Sequence, residues 1–221
     1  MKSFIEPFIL YWVLFLRIPA GITPGEGAAG AVAMEFSWTA EIARIFIYTL
    51  PSLALVWYLV LKKVKSLKAT GIRFPQKKDF VVAFMAFCAL TLIGVTISLV
   101  SAKFGEAAML RQSLSPRTVT AWAVLVVSCI SSAYLEESYF RFYLFSRKEE
   151  MGLGPHRAVL VSTLLFSICH IYEGPLGFLN AALSGVVLAD VFLRFRSLHG
   201  VAAAHALYNI LAYVLQAGTG G

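Results

Sequence analysis

The sequence predicts an all-α, polytopic bundle of transmembrane helices with about seven spans, and three observations support it. Of 221 residues, 59% are hydrophobic and only 14% charged, against roughly 25% charged in a soluble domain. The apolar residues gather in stretches of about 20, the length a helix needs to cross a hydrocarbon core about 30 Å thick. The basic residues lie between those stretches rather than in one patch. A net charge of +7 distributed in that way orients a chain in lipid, so the expected surroundings are a bilayer and no nucleic acid partner is expected.

The first span is read over residues 4–16, a short stretch followed by a Gly- and Ala-rich run from Gly21 to Gly30 that contains Pro24 and Gly25. Lys2, this stretch and Ala31-Val32-Ala33 imitate a secretory signal, but Glu6, Arg17 and the long gap before Ala31 fit that layout poorly. Further spans are expected over 39–61, 80–102, 118–145, 157–172, 176–193 and 199–217. Nothing is left for a soluble domain, so residues 1–221 read as one integral membrane domain, with amino-terminal helices over 1–117 and a core over 118–215. Cys88, Cys129 and Cys169 each fall inside an apolar run, in no metal-binding spacing, and read as small buried hydrophobes.

Basic loops stay on the cytoplasmic side. The connection from Lys62 to Lys78 holds Lys62, Lys63, Lys65, Lys68, Arg73, Lys77 and Lys78. Seven alternating spans put it on one side with Lys2, Arg147, Lys148, Arg157, Arg194 and Arg196, thirteen basic residues in all. The other side receives four: Arg17, Lys103, Arg111 and Arg117. The expected orientation is therefore an amino terminus in the cytoplasm, with the chain integral to a cell membrane, taken as prokaryotic.

An ionisable side chain at mid-membrane costs about 2.5–3.5 kcal/mol on insertion scales, so each is a candidate functional group. They concentrate in Glu136, Glu137 and Arg141 of the fourth span, Phe166 to His170 at the end of the fifth, and His205 to Asn209 of the seventh. Residues four apart share a helix face, so Glu137 can meet Arg141, Phe166 can pack on His170, and His205 and Asn209 point the same way. At about 1.5 Å per residue, Glu136, His170 and His205 lie roughly 15, 20 and 9 Å above the inner boundary, within one slab. Simpler roles suit other residues. Glu137 with Arg141 reads as a neutralised intrahelical pair, Asp190 with Arg194 as a snorkelling pair, Asn180 as interhelical glue, and His156 and His199 as solvated. Glu136, His170, His205 and Asn209 form a set in which nothing local neutralises Glu136.

Glu136-Glu137-x-x-x-Arg141, then Phe166-x-x-x-His170, then His205-x-x-x-Asn209, each on its own apolar span, resembles the motif series of the CAAX-processing and bacteriocin-processing (CPBP, or ABI) family of intramembrane proteases. Ser197-Leu198-His199 is similar to the family's approach to its last motif, with His199 where Trp is common. The likeness covers roughly residues 118–215. It implies hydrolysis of a peptide bond in a membrane-associated protein or peptide, lipidated or hydrophobic-tailed, by a water that a glutamate activates. On that reading Glu136 is the base, His170 holds or polarises the water, His205 and Asn209 donate to the oxyanion, and Glu137, Arg141 and Phe166 support them.

Two imidazoles and a carboxylate also form the ligand set of a catalytic zinc. Glu136, His170 and His205 would be those ligands, although no H-E-x-x-H is present. The expectation is no cofactor, with zinc as the alternative. A non-catalytic immunity factor, scaffold or transporter is the other class, but packing alone would not require all four polar groups together.

Overall fold

The computed structural model describes residues 4–16, 36–63, 74–104 and 116–219. Among them are seven helices and no strand. Helix α1 is Ile5–Phe15, α2 Trp38–Lys63, α3 Lys77–Phe104, α4 Val119–Arg147, α5 Pro155–Ile168, α6 Gly174–Phe195 and α7 Leu198–Thr219. Five of them, α2, α3, α4, α6 and α7, are long and apolar enough to cross a membrane, α6 being extended by the 3-10 turn Ile171–Glu173. The chain is an integral membrane protein, and its helices expose a largely apolar surface that includes Trp12, Ile47, Phe84 and Leu92.

Two of the seven expected spans are shorter than a crossing. Helix α1 has 11 residues and α5 has 14, which at 1.5 Å per residue give about 17 and 21 Å against roughly 30 Å of hydrocarbon. The fifth apolar stretch was expected to continue to residue 172, but the helix stops at Ile168 and the chain turns through His170. Helix α1 is built into the core with Leu10, Tyr11, Leu14 and Phe15 buried, a placement that suits a folded element rather than a leader. The Gly21–Gly30 run, Ala31-Val32-Ala33, and Lys65, Lys68 and Arg73 of the basic loop lie outside the described residues.

Local sequence sets the boundaries. Ser37 and Thr118 are extended N-caps whose hydroxyls accept from Ala40 N at 3.3 Å and Ala121 N at 3.2 Å. Pro155 and Pro175 occupy first-turn positions, where the missing N–H is harmless. Helix α6 ends on Arg196 in the left-handed region, φ 49°, with its N–H returned to Phe192 O at 2.8 Å. Helices α2 and α4 each carry a π turn, at Ile45–Thr49 and Ser138–Tyr143. Apolar periodicity gives no sign of either.

Helix α4 is the hub, and its π turn touches α2, α5, α6 and α7. Helix α2 runs parallel to it, with Arg44 against Ser128 and Ser132, Trp57 Nε1 donating to Ser138 Oγ at 2.9 Å, and Arg147 Nη2 donating to Leu59 O at 2.8 Å. Helix α1 runs the other way. Tyr139 donates to Pro7 O at 2.7 Å, Tyr143 to Glu6 Oε1 at 2.9 Å, and Tyr11 to Leu165 O of α5 at 2.9 Å. At one end of the bundle Glu6 pairs with Arg147 at 3.0 Å and Lys63 with Glu150 at 2.7 Å. That lysine, aided by Arg147, holds the Glu150 carboxyl below its usual range. A Phe145–Phe192 stack brings the Arg194 end of α6 to the same place. Basic residues grouped on one side by counting thus gather at one end.

Helix α3 runs alongside α7. Ser197 donates to Asp79 and caps Gly200 N at 2.9 Å, and Gly200 abuts Val82. Higher up, a Cβ on Gly94 would meet Tyr208 Oη at 2.5 Å, so glycine is what lets this tyrosine lie between the helices. Tyr208 in turn donates to Asn180 Oδ1 at 3.1 Å. This gives Asn180 the interhelical role expected of it. Two cysteines correct the expectation of burial: Cys88 is exposed on α3 and Cys169 is half-buried, whereas Cys129 is buried. An apolar neighbourhood on a lipid-facing helix does not imply an inward side chain.

Gly94→Ala should lower the thermal midpoint of the detergent-solubilised protein by overpacking, an effect of about 1–3 kcal/mol. Tyr208→Phe removes the clashing hydroxyl and should cost less in the Gly94→Ala background than alone; equal costs in both backgrounds would show that the contact is not what strains the variant.

Candidate active site

Glu136 and Glu137 form the last α-helical turn of α4 before its π turn, a kind of bulge found frequently at functional sites. Being about 100° apart around the helix, they point into different surroundings. Glu137 and Arg141 are both completely buried, with Nη1 donating to Oε1 at 3.1 Å. The spacing of four had marked this pair. The Arg141 guanidinium also donates to Gly185 O of α6 at 3.3 Å and lies 4.5 Å over the Phe166 ring of α5. Removing two charges from water costs several kcal/mol per ion, which these contacts help to offset even though Glu137 Oε2 and Arg141 Nε have no partner among the described residues.

His205 of α7 joins the pair. Its Nδ1 lies 2.9 Å from Glu137 Oε1, and its Nε2 faces Glu136 Oε2 at 3.9 Å, too far for a hydrogen bond. The carboxylate opposite Nδ1 fixes the plane of the imidazole and directs the other nitrogen toward Glu136. Glu136 is the less enclosed glutamate, its side chain 22% exposed. Its Oε2 is nevertheless buried and, among the described residues, has no hydrogen-bond donor. Glu137 Oε2 is likewise buried without a partner among them, so partial exposure is what sets Glu136 apart from its neighbour.

His170 sits just beyond the end of α5, where its Nδ1–H donates to Phe166 O at 2.8 Å. A carbonyl can only accept, so Nδ1 carries the proton of this bond and Nε2 is the ring nitrogen turned away from it. Phe166 is the spacer between the imidazoles: its ring centroid lies 4.6 Å from that of His170 and 5.7 Å, edge-on, from that of His205. Asn209 lies one turn beyond His205, half-buried, and makes no hydrogen bond among the described residues. Glu136, Glu137, Arg141 and His205 are thus brought into one cluster, with His170 joined to it through Phe166 and Asn209 beside it on α7. Among the described residues no three His, Cys, Asp or Glu side chains converge to hold a metal ion.

Sequence reasoning missed several groups. Tyr48 of α2 donates to Leu14 O, and Cys169 Sγ lies 3.4 Å from Tyr11 Oη. His199 is not solvated as expected: Nδ1 lies 2.9 Å from Tyr134 Oη, and the ring is half-buried at the start of α7. His156 is exposed, and Asp190 pairs with Arg194 at 2.7 Å on the surface, both as expected. On α2, Glu41 and Arg44 form a further polar cluster with Ser128 and Ser132 of α4.

Residues 118–211 match the family model described as type II CAAX prenyl endopeptidase, Rce1-like. The resemblance carried by the three motifs therefore stands over that stretch, where the chain is similar to a family of intramembrane proteases. No curated protein and no solved structure matches the chain.

Arg141→Leu should destabilise the protein by about 3–5 kcal/mol, because it strands Glu137 as a buried charge. Arg141→Lys keeps the charge and should lose less. Chemical denaturation in a fixed micelle would compare them, and equal losses would mean that the charge is not what matters at this position.

Proposed function

We propose that the chain is an intramembrane endopeptidase of glutamic type, acting on a membrane-associated protein or peptide whose tail is lipidated or hydrophobic. The observation that carries this reading is His205 held between two unlike glutamates, Glu137 sealed at 0% exposure and ion-paired with Arg141, and Glu136 partly exposed at 3.9 Å from Nε2. Glu136 is the base. It takes a proton from a water as that water attacks the scissile carbonyl. The Nε2 lone pair of His170 accepts the water's other proton as a hydrogen bond and orients it.

The tetrahedral oxyanion needs donors. Asn209 offers its amide, and His205, as an imidazolium with Nδ1–H on Glu137, offers Nε2–H. The Glu137 carboxylate offsets the imidazolium charge, much as a buried acid supports a histidine in hydrolases. Protonated Glu136 then returns its proton to the leaving amine, so one residue serves both halves of the reaction. Every step is carried by this chain's own side chains.

The orientation proposed is an amino terminus in the cytoplasm. The bundle end that gathers Glu6, Lys63, Arg147 and Glu150 is the basic end, which stays inside by the positive-inside rule. A cysteine introduced at Glu149, in a chain whose own cysteines are changed to alanine, should react with an impermeant thiol reagent only after cells are permeabilised. Labelling of intact cells would reverse the assignment.

Glu136→Gln keeps the shape and removes the proton acceptor, so it should lower cleavage by about 10³-fold or more while leaving the protein folded and inserted. Glu137→Gln should chiefly destabilise, with partial activity in the folded fraction, and wild-type activity should survive chelation. Near-normal turnover by Glu136→Gln on matched amounts of folded protein would remove Glu136 from this role. Loss of cleavage on chelation, restored by zinc, would replace the metal-free mechanism.

A further inference from the structure

The basic end of the bundle does not carry its charge evenly. Where α1, α2 and α4 meet, each cation has an acid beside it: Arg147 pairs with Glu6 and Glu150, and Lys63 with Glu150. The corner where α3 begins and α6 turns into α7 is different. Lys77, Lys78, Arg194 and Arg196 are all exposed there, and the one exposed acid among the described residues of these turns is Asp190, paired with Arg194 at 2.7 Å. The other acid, Asp79, is buried and already committed, accepting from Gln76 N at 2.7 Å and from the Ser197 hydroxyl.

That last hydrogen bond holds the corner together. Lys78 immediately precedes Asp79 and Arg196 immediately precedes Ser197, so cations from two chain segments stand on either side of one contact. Arg196 is fixed further by its left-handed backbone, φ 49°, and its guanidinium lies 6.0 Å over the Phe192 ring.

Apolar rings continue from the cations along the bundle. Phe80 and Phe84 follow Lys77 by three and seven residues, which puts all three on one face of α3 over about 10 Å. Both rings are open to the surroundings, at 73% and 67% exposure, and Phe195, between the two arginines, is exposed as well. A soluble anion gains nothing from rings so placed. A phospholipid presents a phosphate and then hydrocarbon in that same order along the membrane normal.

We propose that this corner binds an anionic phospholipid, with Lys77, Lys78 and Arg196 on the phosphate and Phe80 and Phe84 against the acyl chains. Basic pockets between spanning helices hold such headgroups, and a guanidinium suits the phosphate oxygens geometrically. A headgroup seated there ties the first turn of α3 to the turn that starts α7, beside the Ser197–Asp79 bond. It thereby secures the helix that carries His205 and Asn209.

The test uses the purified full-length chain in detergent with phosphatidylglycerol and phosphatidylcholine as probes, read by native mass spectrometry and by the thermal midpoint. The wild-type chain should hold phosphatidylglycerol about twentyfold tighter than phosphatidylcholine, and Lys77→Gln with Lys78→Gln should bring that ratio to about one, since each cation at a membrane surface contributes about fivefold. Both lysines are exposed, so the change opens no buried contact. Arg196→Asn keeps a residue at ease in the left-handed region and should lower the ratio about fivefold. Lys148→Gln with Arg157→Gln removes the same charge from the same end and should leave the ratio unchanged.

Equal retention of the two lipids by the wild-type chain would overturn the site. So would an equal loss in both double variants, which would reduce the preference to net charge. Glycerol phosphate alone, lacking chains, should leave the midpoint where it is; a rise matching that given by phosphatidylglycerol would assign the cations to a soluble anion and overturn the lipid.

Discussion

The architecture depends on one buried ion pair. Glu137 and Arg141 lie inside α4 at zero exposure, and each of their partners comes from a different helix: Phe166 from α5, Gly185 from α6 and His205 from α7. An uncompensated charge in that position would cost several kcal/mol, so the three helices must arrive together for the pair to be tolerated. Among apolar helices in lipid, where burial of apolar surface gives little drive for association, such a shared polar centre specifies which faces meet. Small residues do the rest. Gly185 leaves room against Thr163 and Phe166, and its carbonyl is one of the acceptors that Arg141 uses.

The same pair makes two adjacent glutamates unlike. Glu137 serves Arg141 and His205 through Oε1, so that oxygen is committed to fixing geometry. Glu136, turned away by about 100°, faces the other nitrogen of the same imidazole across 3.9 Å. Because His205 touches both, its Nδ1 contact transmits the rigidity of the buried pair to the side of the ring that faces Glu136. A carboxylate that is free of partners yet framed by fixed ones has the arrangement expected of preorganised acid–base chemistry, where reorganisation is costly and is completed during folding.

Much of this was legible in the sequence, for identifiable reasons. Apolar stretches locate all seven helices, and the spacing of four gives both Glu137–Arg141 and Asp190–Arg194. It also places Phe166 on His170, because a helix repeats its faces whatever surrounds it. The shortness of α1 was legible, but the early end of α5 was not, since an apolar residue fits a buried core as well as it fits lipid. Neither were the two π turns, whose cause lies in tertiary packing. His199 read as a solvated loop residue because nothing local announces Tyr134, 65 positions away. The Glu41–Arg44 cluster had a signal, a spacing of three within an apolar run and two serines four apart on α4, but joining them required knowing that α2 and α4 are parallel neighbours.

That last failure bears on how the chain divides its work. The family likeness covers residues 118–211, yet the groups that brace this stretch come from outside it. Tyr11 holds the last turn of α5, whose Phe166 carbonyl sets the tautomer of His170. Trp57 holds Ser138 at the start of the π turn. Asp79 holds Ser197, the residue that starts the helix carrying His205 and Asn209. The contacts from α1 and α3 go to a backbone carbonyl near the end of α5 and to the hydroxyl that caps α7, whereas Trp57 reaches a serine hydroxyl within α4. The side chains proposed as catalytic sit on helices that α1, α2 and α3 brace at these points. Each of α1, α2 and α3 thus reaches a different element of the stretch that the family model matches, so in this fold that stretch is positioned by contacts from outside it.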